Sequence, residues 1–157
     1  MTISYRSMIK LLRSEIIKWL DVPVVPQNQV GQPKDYPFVQ YYMYEDWLPF
    51  DFNPDSPNYN VQIQMKVVSD NEEVQHELKR KLRRLFYLEE PRNTLSENGI
   101  ALLNTEYLPS PPTYMENFII FDDGWDFTFN VHAEEEDFTT GSAQLDSITP
   151  NITKEAK

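Results

Sequence analysis

The sequence predicts an α+β domain: a mostly antiparallel β-sheet with two main helices packed on one face, plus an extended loop and a C-terminal arm. Three stretches predict it. Tyr59, Val61, Ile63, Met65 and Val67 alternate strictly with Asn60, Gln62, Gln64 and Lys66, the two-residue period of a half-buried strand. Directly after them Val74, Leu78, Leu82 and Leu85, with Phe86 beside them, recur at helical spacing and leave Lys79, Arg80, Arg83 and Arg84 pointing elsewhere. Near the end Trp125, Phe127, Phe129 and Val131 alternate with Asp126, Thr128, Asn130 and His132, a second clear strand.

The elements follow in order. From Ser4 to Leu20 the residues Tyr5, Met8, Ile9, Leu12, Ile16, Trp19 and Leu20 recur every three or four positions, so a helix is expected with Ser4 as N-cap, ended by Asp21 and Pro23. Val22, Val24 and Val25 suit a short edge strand, because Pro23 and Pro26 cannot donate to a ladder. Gln27 to Tyr36 is polar, holds Gly31 and Pro33, and reads as a loop. Phe38 to Tyr44 is dense in residues that fit a pleated surface on both sides and reads as a central strand.

The 45–58 segment combines Pro49, Asn53, Pro54, Asp55, Pro57 and Asn58 with Trp47, Leu48, Phe50 and Phe52. It reads as a long aromatic loop, either folded over its own core or projecting as a hairpin tip towards a neighbouring subunit. In Ser69-Asp-Asn-Glu72 the serine hydroxyl can accept from the Glu72 N–H while the Glu72 carboxylate reaches back, a capping box that starts the second helix. Pro91 to Gly99 is expected to be a polar connection, with positive φ at Asn98-Gly99. Ile100 to Leu108 reads as a strand, Pro109 to Pro112 as a surface loop, Tyr114 to Phe121 as extended chain, and Asp122-Asp123-Gly124 as a tight turn. The domain is expected over residues 1–137 and the arm over 138–157.

Composition bounds the partners. Of 157 residues, 40% are apolar and 13% aromatic, which suits a packed core and not a disordered chain. Lys10, Arg13, Glu15 and Lys18 interrupt the N-terminal helix, so a signal peptide is not expected, and no apolar run suits a membrane span. There is no cysteine, hence no disulfide and no thiolate metal site. A net charge of −11 argues against a nucleic-acid-coating surface. The charge is uneven, however: five of the 14 basic residues lie between Lys79 and Arg84, while Glu134, Glu135, Glu136 and Asp137 form an acidic run.

Material for catalysis is thin. Glu72 and His76 are four apart on a helix but two ligands short of a metal site, and His132 lies on the polar side of its strand. Asp122 with Asp123 could serve as a carboxylate pair, though the following Gly124 favours a turn. Four consecutive acids at 134–137 point in several directions and suit a solvated strand end better than a cation site. No glycine-rich phosphate loop or nucleophile elbow is present. The reading is therefore not an enzyme, with no catalytic residues, metal or cofactor. The basic run suits either a solvated helix face or an electrostatic interface. Aromatic residues do not interleave with it, so protein contact is preferred to nucleic acid.

Taken together, Val24-Val25-Pro26-Gln27-Asn28-Gln29, Tyr36-Pro37-Phe38-Val39-Gln40-Tyr41, the strand Asn60 to Val67, the helix with its basic turn, Glu97-Asn98-Gly99-Ile100 and the strand Trp125 to Val131 form an ordered pattern. In this pattern the chain resembles the neck or tail terminator proteins of tailed bacteriophages, from about Ile16 to Val131. The resemblance implies a structural virion protein, assembled in the host cytoplasm, whose copies form a ring, commonly a hexamer. Such a ring caps the tail tube, joins it to the head-side connector and adaptor proteins, and lets DNA pass without specific binding. A ring needs two different patches meeting around its axis. The expected interface pairs Lys79, Arg80, Arg83 and Arg84 with Glu134, Glu135, Glu136 and Asp137, and lays Trp47, Phe50 and Phe52 on the next subunit or the tube. Two other readings are a head-side adaptor or tail-tube subunit, and a small nucleic-acid-binding accessory protein using the basic helix.

Overall fold

A computed structural model describes residues 3–28, 35–53 and 56–132. The first helix, α1 (Tyr5–Leu20), starts where the Ser4 hydroxyl accepts from the Ser7 N–H, and it ends at Asp21, whose N–H still donates to the Ile17 carbonyl and whose left-handed backbone then turns the chain out of the helix. It buries Met8, Ile9, Leu12, Ile16 and Leu20, whereas Tyr5 and Trp19 remain exposed at the edges of the stripe.

Strand β1 (Val24–Pro26) pairs in parallel with β2 (Phe38–Pro49) and ends the sheet on that side, where its prolines need no ladder partner. Next come β3 (Asn58–Val68), α2 (Glu72–Leu85), α3 (Glu89–Glu97) and β4 (Ile100–Leu108). A small hairpin of β5 (Thr113–Tyr114) and β6 (Ile119–Ile120) precedes β7 (Gly124–His132). The main sheet runs β1-β2-β3-β7-β4, antiparallel except for its first pair, which is the α+β architecture expected.

The alternation in β3 and β7 places Val61, Ile63, Met65, Val67, Phe127, Phe129 and Val131 on one face, where all are buried under the helices. Phe86, at the end of α2, stands edge-on to Phe127 and Phe129 with ring centroids 5.5 Å away in both cases, the preferred geometry for aromatic quadrupoles. The opposite face carries Gln62, Gln64, Thr128 and Asn130, and none of the helices among the described residues packs on it.

Several expectations need correction. Ser69 does not cap α2. Its backbone forms a bridge to Phe121, so the chain stays extended through it, and Asn71 takes over by accepting from the Val74 N–H. Val74 is consequently exposed, and Gln75 and Lys79 occupy the buried stripe with Leu78, Leu82 and Leu85. The expected polar connection after Pro91 is the third helix. Pro91 falls in its first turn, where the backbone N–H has no intrahelical acceptor, and only Pro91 and Leu95 are buried, so no apolar stripe announces it. Gly99 does adopt positive φ, +73°.

The tight turn expected at Asp122-Asp123-Gly124 is absent. Gly124 opens β7, and a Cβ there would lie 2.0 Å from the Met65 carbonyl oxygen. Close approach of β3, not turn geometry, is what requires glycine. The first part of the expected 45–58 loop is strand: β2 continues to Pro49, paired opposite Tyr59 of β3, with irregularities between Met43 and Glu45 and between Glu45 and Leu48.

Candidate interaction surfaces

The β2–β3 arm brings Trp47, Phe50 and Phe52 to the far end of the hairpin. Trp47 is 49% exposed, Phe50 52% and Phe52 fully exposed. The ladder continues to Pro49, and beside Glu45, Asp46 and Asp51 the Phe52 ring stands fully in water, with Trp47 and Phe50 half-exposed. Of the two alternatives for this segment, the geometry is that of the projecting hairpin.

The basic helix divides. Arg80, Arg83 and Arg84 are exposed, with Arg83 lying over the Trp125 ring at 5.5 Å. Lys79 is not part of that surface: it is 7% exposed and turned towards the sheet. Its Nζ donates to Asp123 Oδ2 at 2.8 Å and lies 5.1 Å from the Tyr107 ring centroid. Gln75 and the Tyr107 hydroxyl donate to the same carboxylate, and the Trp125 indole N–H donates to the Lys79 carbonyl at 2.8 Å. Burial pushes the Asp123 carboxyl up, but the hydrogen bonds from Lys79, Tyr107 and Gln75, together with the Lys79 charge, outweigh it and hold the group below its ordinary value. The Tyr107 hydroxyl is pushed up, first by donating to Asp123 and then by burial. The network ties α2 to β4 and to the start of β7. Sequence pattern placed Lys79 with the arginines because it is flanked by charges; Asp123, drawn into a supposed turn, was the missing partner.

Glu134, Glu135, Glu136 and Asp137, the expected counterpart of the arginines, lie outside the described residues. Among the acids that are described, Asp126 stands on the open face of the sheet. The Tyr44 hydroxyl donates to its Oδ2, while its Oδ1 is buried with no partner among the described residues. Burial raises the Asp126 carboxyl, with Glu106 nearby acting in the same direction, and burial likewise raises the Tyr44 hydroxyl. Of the two histidines, His76 lies 3.8 Å from Glu72 with both side chains exposed, and His132 meets Asn58 Oδ1 at 2.9 Å. Among the described residues no three His, Asp or Glu side chains are grouped to hold a metal ion, and no helix is long and apolar enough to cross a membrane.

One surface has no counterpart in the sequence reading. Arg6, Lys10 and Arg13, at i, i+4 and i+7, lie along one exposed side of α1, and with Tyr5, Ile9, Ile17 and Tyr41 they line a groove of about 530 Å³ between α1 and β2. None of the three bases has an acidic partner within ion-pair distance among the described residues. In the sequence Lys10 and Arg13 interrupt an apolar helical pattern, and no local signal joins them to Tyr41.

The sequence matches no protein-family profile and no curated protein. Among solved structures, one that carries no functional name is similar over 82% of this chain and 98% of its own, at 18% sequence identity and a TM-score of 0.48.

Proposed function

We propose that this chain is a structural virion protein of a tailed bacteriophage, a neck or tail terminator whose copies close into a ring that caps the tail tube and joins it to the head. The observation that carries the reading is the β2–β3 arm, which holds exposed Trp47, Phe50 and Phe52 well beyond the core of the subunit. A projecting aromatic tip on an otherwise well-packed α+β domain is what a subunit needs to grip a neighbour, since a few buried aromatic anchors supply most of the binding energy of a protein interface. The exposed arginines of α2 give the same subunit a cationic pole despite its acidic total, and unlike poles on different faces favour head-to-tail contact. A net charge of −11 per copy also suits a ring through which DNA passes without adhering.

Deletion of the gene tests the reading. The expected phenotype is full heads and separate tails that do not join, or tails of uncontrolled length. Normal joined particles that lack the protein would refute it.

A further inference from the structure

The hairpin tip and the α1 groove are complementary in chemistry. The tip presents Glu45, Asp46 and Asp51 interleaved with Trp47, Phe50 and Phe52, while the groove presents Arg6, Lys10 and Arg13 interleaved with Tyr5, Tyr41 and Ile17. Each side holds an aromatic ring in water: Tyr5 is 59% exposed and Phe52 fully so, while Tyr41 is half-buried against the core. Within one subunit the end of the tip does not reach the groove. Tyr41 belongs to the groove and lies in the ladder opposite Met65, whereas Phe50, Asp51 and Phe52 follow the Pro49–Tyr59 pair. The six steps of β3 from Tyr59 to Met65, at about 3.3 Å each, put roughly 20 Å of hairpin between them.

We infer that the hairpin tip of one copy docks in the α1–β2 groove of the next, its carboxylates against Arg6, Lys10 and Arg13 and its aromatic side chains against Tyr5, Tyr41 and Ile17. The contact joins two different patches, so each copy uses its tip on one neighbour and its groove on the other. Repetition of such a heterologous contact gives a closed ring when the rotation closes. Because every copy is net acidic, association depends on this local pairing of opposite charge and weakens as salt screens it. The inference deepens the ring reading and rests on it only in that copies meet head to tail.

Charge reversal on the full chain tests it. In one variant Arg6, Lys10 and Arg13 become Glu; in the other Glu45, Asp46 and Asp51 become Lys. Circular dichroism checks the fold, and sedimentation equilibrium reads the mass. Each variant alone is expected to sediment as a monomer. Their equimolar mixture is expected to regain the wild-type assembly, because each then offers the tip that fits the other's groove. The cysteine-free chain permits a second reading that involves no charge change: Phe52→Cys and Ile17→Cys proteins, mixed with a short bis-maleimide, should cross-link tip to groove at least tenfold more than tip to tip. Wild-type assemblies that survive both reversals, or a mixture that stays monomeric, overturn the contact and leave the ring reading standing. A wild-type chain that remains monomeric and gives no tip-to-groove cross-link at its highest soluble concentration overturns both. Loss of duplex DNA binding by the groove variant, without any change in mass, would assign the groove to phosphates and overturn the inference as well.

Discussion

Replacing Lys79 by Met removes the cation from the network at Asp123 while keeping an unbranched stem of similar length. The side chains of Lys79 and Asp123 are 9% and 13% exposed, so the pair is nearly desolvated. Breaking a buried pair by deleting one partner costs about 3–5 kcal/mol when the remaining charge is stranded. Here the carboxylate keeps the Gln75 amide and the Tyr107 hydroxyl, which lowers the expectation to about 2–3 kcal/mol. For a chain of this size that is a fall of about 5–10 °C in melting temperature. The pH dependence has a definite sign. Asp123 is held below its ordinary value, so its contribution is fully present above the unfolded carboxyl pKa of about 3.9 and is lost as pH falls through the folded value. In Lys79→Met burial is less opposed, the Asp123 carboxyl rises, and acid no longer strands a charge. The gap between the two proteins should therefore be widest near neutrality and close below about pH 4. Urea unfolding at neutral and acid pH measures it. A neutral-pH loss under about 1 kcal/mol, the range of an exposed ion pair, or a gap that persists in acid, contradicts the reasoning.

Other perturbations give further expectations. Gly124→Ala forces a methyl into the Met65 carbonyl and should destabilise by at least about 3 kcal/mol, measured by urea midpoint; a near-neutral result would mean that β3 and β7 separate easily at this end. Asp126→Asn should raise the urea midpoint at neutral pH, because burial and Glu106 disfavour the charge there and Tyr44 can still donate to the amide oxygen; the advantage should shrink as pH falls towards the unfolded carboxyl value and the wild-type group takes up its proton. Phe86→Ala removes the ring wedged against Phe127 and Phe129 and should cost about 3–5 kcal/mol, with unfolding at ambient temperature as the extreme outcome. Phe52→Ser should leave the melting temperature within about 1 °C, since that ring is already in water, while particle assembly is lost; unchanged infectivity would remove the tip from the interface.

Much of the fold was legible because burial imposes period on sequence. The alternations in β3 and β7 and the stripe in α1 reflect a single buried face each, and all three were visible without a structure. Where burial imposes little, pattern was silent: α3 covers the core with Pro91 and Leu95 alone, and helix formation there depends on first-turn acids and a proline that tolerates its position. The arm misled in the opposite way. Its prolines and asparagines read as a loop, although Pro49 stands at the last rung of the ladder, where the strand ends. At the candidate surfaces, the exposed aromatics of the tip were found by their number in a polar stretch. Lys79 was misplaced because one buried lysine within a basic run differs from its neighbours only through a partner 44 residues away. The α1 groove is not legible in the sequence because its second wall, Tyr41 on β2, is brought beside the α1 bases only by the fold.

Gold-labelled antibody against this chain, applied to intact and detergent-opened virions and viewed by electron microscopy, locates the protein on the particle. A band of label at the junction between capsid and tail, at one ring of copies per virion, is the expected result. Label spread along the tube, confined to the capsid, or missing from purified particles would contradict a collar at the head–tail joint.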